Sequence, residues 1–198
     1  MNRSAACLMV ALPFVVGACA FGPDVVSEEG DPENARLALE LAADDGPIRT
    51  KVHGSPLGLA DEVRDAEVTT NMAEAIRGLR VSFTTDERVA REAEPHLVTV
   101  LQPTGAISDE RLCTAETIET EPAGQVPLTV VAGFCDRELA LRRVTVSLDE
   151  PSRERGDLIR LYWRTAGALF PDQRSIDPGI NLGPFRVNVG TSIGIGID

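Results

Sequence analysis

Val126-Pro127-Leu128-Thr129-Val130-Val131-Ala132-Gly133-Phe134-Cys135-Asp136-Arg137-Glu138-Leu139-Ala140-Leu141-Arg142-Arg143-Val144-Thr145-Val146-Ser147-Leu148 contains two β-rich runs around a polar break. Val126 to Cys135 and Leu139 to Leu148 carry the strand-favouring residues. Cys135 to Glu138 supplies a turn, so the segment reads as a hairpin. In the second run Val144, Val146 and Leu148 alternate with Thr145 and Ser147, the period of a half-buried strand.

Downstream, Asp157 to Phe170 sets Leu158, Leu161, Tyr162, Thr165 and Leu169 on one helical stripe, and Pro171 stops it. Upstream, His96 to Gln102 is a nearly continuous apolar strand ended by Pro103, and Leu79 to Thr85 alternates, with Val81 and Phe83 on one side. Leu59 to Arg77 has helical signals: Asp61 as N-cap, Glu62 in the first turn and Gly78 after the end. Its expected buried stripe is Leu59, Val63, Ala66, Thr70, Ala73 and Ile76 or Arg77. Ile48 to His53 is a short strand. The order β-α-β-β-β-β-α predicts an α+β domain over residues 47–171. It would hold a mainly antiparallel sheet of roughly four to six strands with two helices packed on one face.

The 198 residues carry a net charge of −12 and only 4% aromatics, so the core must be built from Leu, Val, Ile and Ala. An acidic chain with no basic stripe repels phosphate backbones, which argues against nucleic acid as a partner. Lys51 is the single lysine among 19 basic residues.

Residues 1–18 have the layout of an export leader: Arg3, then an apolar stretch from Ala5 to Val16, then Gly17-Ala18 before Cys19. The stretch is shorter than the ~20 residues a membrane helix needs, and Pro13 interrupts it. Val16-Gly17-Ala18-Cys19 resembles the lipobox of bacterial lipoproteins. That resemblance implies cleavage before Cys19, acylation of Cys19 and attachment to a membrane through the acyl chains. Ala20 rather than Asp at the next position implies sorting to the outer membrane, facing the periplasm. Ala18-Cys19-Ala20 also fits ordinary signal peptidase, which would release the chain after Ala20, and a retained anchor is the third reading.

Residues 19–46 are acidic and broken by Pro23, Gly30 and Pro32, and are expected to form a tether with one short helix at most, over Glu33 to Ala43. Residues 172–198 form a glycine-rich tail. In it Val187, Val189, Thr191, Ile193, Ile195 and Ile197 alternate with Asn188, Gly190, Ser192, Gly194 and Gly196, the pattern of a strand. That strand would return to the domain's own sheet or add to a partner or a second copy, and a disordered tail is the third reading.

Cys113 and Cys135 are the cysteines left once the leader and anchor are assigned, and an even pair in an exported chain reads as a disulfide. Free thiols are the alternative. Redox chemistry would call for Cys-x-x-Cys, and a metal site for more ligands than this pair has nearby. No catalytic residue is assigned. The chain lacks a nucleophile elbow, a phosphate loop, a zinc-protease motif and a dinucleotide fingerprint. His53, in Val52-His53-Gly54-Ser55-Pro56, and His96, after Pro95, read as structural. Asp86, Glu87, Glu92 and Glu94 read as a solvated loop, and Arg142-Arg143 and Arg153-x-Arg155 as surface charge. No cofactor or metal is expected.

Val52-His53-Gly54-Ser55-Pro56-Leu57-Gly58, Phe83-Thr84-Thr85-Asp86, Leu112-Cys113, Ala132-Gly133-Phe134-Cys135 and Ala168-Leu169-Phe170-Pro171 resemble segments of uncharacterised bacterial lipoproteins. The resemblance covers roughly Pro47 to Pro171. It implies a small periplasm-facing α+β domain with one disulfide and brings no activity. The expected role is that of a non-enzymatic envelope lipoprotein that binds another envelope protein, with a small-ligand or metal-binding module as the alternative.

Overall fold

β5 (Leu128–Asp136) and β6 (Leu139–Leu148) pair antiparallel, as the hairpin pattern requires, with Val130 opposite Val146 and Ala132 opposite Val144. The computed structural model describes residues 22–91, 94–121, 127–149, 151 and 154–172. The hairpin sits inside a six-stranded sheet of order β1-β6-β5-β4-β2-β3, formed with β1 (Asp24–Gly30), β2 (Ile48–His53), β3 (Phe83–Thr84) and β4 (His96–Leu101). The pairs β1–β6, β6–β5 and β5–β4 are antiparallel, whereas β4–β2 and β2–β3 are parallel.

Three helices cover one face: α1 (Pro32–Ala43), α2 (Asp61–Ala75) and α4 (Arg155–Leu169). They bury Leu39, Met72, Leu161 and Tyr162 against Leu97, Leu101, Val130, Phe134 and Val144 of the sheet. α2 connects the parallel strands β2 and β3, so part of the sheet is a βαβ unit. The opposite face carries a smaller core, in which Ile107, Ile118 and the short helix α3 (Asp109–Thr114) pack on Val98, Val100 and Val131. The α+β class and a sheet of six strands therefore stand as expected, although the sheet is mixed, with two of its five pairs parallel. The helix count does not, since the described residues hold three on one face and a fourth on the other.

The boundary near Pro47 is also corrected. β1 and α1 lie in residues read as a tether, yet β1 pairs along β6 from Asp24–Ser147 to Gly30–Arg142. α1 buries Ala35, Leu39 and Ala42. Asp31 caps α1 by accepting from the backbone N–H of Glu33 at 2.9 Å, and Pro32 occupies the first turn. β1 carries little apolar signal because it is an edge strand. Most of its side chains face water, and its charges help to keep a free edge soluble. Cys19 and most of the tail, residues 173–198, lie outside the described residues.

The α4 stripe is buried as expected. The α2 stripe is rotated: Val63 is 46% exposed, whereas Val68, Met72 and Ile76, spaced by four, are buried. Glu67 disguised this face by adding a charge to it, and in the fold that charge meets Arg155 of α4 at 2.5 Å. Asp61 begins α2 rather than capping it, and the cap position is Ala60.

Candidate functional site

A hollow of about 570 Å³ opens where β2 loses its outer neighbour. β3 accompanies β2 for only two residue pairs, Ile48–Phe83 and Arg49–Thr84, after which the chain turns away through Thr85 to Glu87. The groove is lined by Arg49 to His53 of β2, by Asp65 of α2, by Thr85 and Glu87 after β3, and by Glu116 after α3. It lies at the carboxyl end of β2, beside the parallel strand β4, the end of an open α/β sheet where ligands are usually held.

Two local features shape this end. Gly54 has φ of +84°, and a Cβ there would lie 2.2 Å from the Leu101 carbonyl, so only glycine lets the chain pass so close to the end of β4. The turn leads into α2, whose Arg64 donates to the Gly54 carbonyl at 3.4 Å and pairs with Asp61 at 2.8 Å and Asp65 at 2.6 Å.

His53 is the titratable group most altered by this setting. Burial, with help from the Lys51 and Arg64 cations, holds its pKa below the ordinary 6.5, so the ring is neutral at pH 7. Its Nε2 is buried without a hydrogen-bond partner among the described residues. Arg49 reaches Glu94 at 3.4 Å, whereas Lys51, Glu87 and Glu116 are in no ion pair or side-chain hydrogen bond of the described residues. The groove thus presents one uncommitted cation, two uncommitted carboxylates and a neutral imidazole. Among the described residues, no group of three or more His, Cys, Asp or Glu side chains converges to hold a metal ion.

The other residues singled out in the sequence are placed as follows. Cys113 and Cys135 are bonded, with Cα atoms 5.6 Å apart, and tie α3 to β5. His96 is 3% exposed, with Nδ1 2.5 Å from Glu94 and Nε2 3.2 Å from the Cys113 carbonyl, so both nitrogens are committed to structure. Asp86 is held by Arg88, whose side-chain and backbone donors keep its carboxyl below the usual range. Glu92 and Arg153 lie outside the described residues.

Arg142 corrects the surface-charge reading. It is 4% exposed and donates to the Ala168 carbonyl at 2.8 Å, the Gly30 carbonyl at 3.4 Å and Glu28 at 2.6 Å. The guanidinium lines a second hollow of about 510 Å³ between β1 and α4, but each of its three nitrogens already donates to the fold, which makes that hollow the weaker candidate.

No known family matches this chain. Neither curated proteins nor solved structures gave a match. Sequence reasoning assigned no role to Lys51, Asp65 or Glu116. They are 14 residues apart or more and converge only through the βαβ turn and the loop after α3.

Proposed function

We propose that this chain is an exported lipoprotein, acylated on Cys19 and held at the outer membrane facing the periplasm, whose domain binds another envelope protein without catalysing a reaction. The observation that carries the export half is the bonded Cys113–Cys135 pair, because disulfides persist in oxidising compartments and the leader directs the chain to one. The lipobox resemblance of Val16 to Cys19 supplies the anchor. Labelled palmitate should enter the wild-type chain and be lost in Cys19→Ala. Label that persists in the variant would refute acylation at this residue. For the binding half, in-cell crosslinking should capture an envelope protein, and a domain that crosslinks to nothing would count against it.

A second reading, a small-ligand module, is favoured by the groove itself, which gathers Lys51, His53, Glu87 and Glu116. Calorimetry against a panel of metabolites and divalent ions tests it, and the absence of any heat beyond dilution would reject it.

A further inference from the structure

We propose that the groove beside β2 is a strand-addition site that takes an extended, basic peptide in the lane that β3 vacates. It gives the partner-binding reading a surface, and rests on it only in taking the partner to be a polypeptide.

The main chain supplies the first part of the argument. The Ile48 amide donates to the Ser82 carbonyl at 2.8 Å, so Ile48 points its polar backbone groups toward β3. By the two-residue period of a strand, Thr50 and Val52 point theirs the same way. The ladder ends at Arg49–Thr84, and the Val52 amide and carbonyl face the groove with no strand beside them among the described residues. On its other side β2 is already paired with β4 from Thr50–Leu97 to His53–Val100. An unpaired edge of this kind is a template for another strand, and here it is recessed between α2 and the loop after α3, not laid open along its length.

Charge supplies the second part. Glu87 and Glu116 are exposed carboxylates in no ion pair among the described residues, whereas Asp65, which also lines the groove, is already paired with Arg64 at 2.6 Å. Of the groove's cations Arg49 is spent on Glu94, which leaves Lys51 against the two carboxylates, and the whole chain carries −12. A segment with Lys or Arg at alternate positions would meet the carboxylates while its backbone pairs with Val52. An acidic segment would meet net repulsion.

The probe is a short, end-capped peptide alternating valine with lysine, added to the full-length chain and followed by amide NMR with hydrogen exchange. The expected result is saturable binding that protects the Val52 amide. N-methylation of alternate peptide amides should weaken binding about tenfold or more, since backbone hydrogen bonds are lost. Val52→Pro, which removes one donor on the groove side and none on the β4 side, should abolish binding. The surface variant E87Q/E116Q should weaken it several-fold with an unchanged melting temperature, so a folding defect in Val52→Pro cannot decide the matter alone. Equal binding of the N-methylated peptide, or of its glutamate counterpart, would overturn the proposal. So would a Val52 amide already protected without peptide, by the chain's own residues or by a second copy.

Discussion

Arg142 and His53 show how one side chain can report on its surroundings. The Arg142 guanidinium joins the end of α4, the end of β1 and Glu28 through three acceptors while almost wholly buried. Arg142→Met keeps the aliphatic stem and strands those carbonyls, and should lower stability by about 2–3 kcal/mol in urea denaturation. Glu28→Gln, at a carboxylate half open to water, should cost under about 1 kcal/mol. For His53 the sign follows from its depressed pKa: the unfolded chain takes up a proton as pH falls through about 6.5, and the folded chain only at lower pH. Protonation therefore favours unfolding across that window, and there is no contribution above it. Stability of the wild type should fall more steeply below pH 6.5 than that of His53→Gln. Parallel pH profiles of the two would reject the burial argument.

The element that depends most on a covalent tie is α3. It spans six residues, too few to be stable alone, and it is held against β5 by the disulfide and by direct contact with Gly133. A Cβ at Gly133 would lie 2.6 Å from Leu112 Cδ2. Gly133→Ala should therefore destabilise by about 1–3 kcal/mol through overpacking. The double variant C113A/C135A should lose about 3 kcal/mol in the chain-entropy account. Both are read from thermal or urea unfolding, and a neutral double variant would mean that α3 is held by packing alone. The bond also sits beside His96, whose contact with the Cys113 carbonyl couples the entry of β4 to the same helix.

At the scale of the molecule, the decisive correction is that β1 and α1 belong to the domain. β1 covers the outer edge of β6, and α1 buries Leu39 in the main core, a side chain whose burial alone contributes about 2 kcal/mol. A fragment of residues 47–172 should therefore lack a cooperative melt, while one of residues 22–172 should keep it. Equal melting of the two would restore the boundary at Pro47. The consequence for function is that less chain separates Cys19 from the fold than a tether of residues 19–46 would have provided, so the domain would stand close to the membrane if Cys19 is acylated.

Local pattern alone determined the β5–β6 hairpin, the buried stripe of α4 and the pairing of Cys113 with Cys135. Each depends on short-range periodicity or on a choice among very few partners. β1 escaped because an edge strand with one wet face carries little apolar signal, and the α2 face because Glu67 places a paired charge on it. Arg142 reads as surface charge until the fold brings three acceptors around it. The groove beside β2 was the least legible feature, because Lys51, Asp65, Glu87 and Glu116 share no local motif. Only the parallel β2–α2–β3 crossover, the early end of β3 and the loop after α3 bring them together, and that meeting depends on long-range packing, which no window of sequence contains.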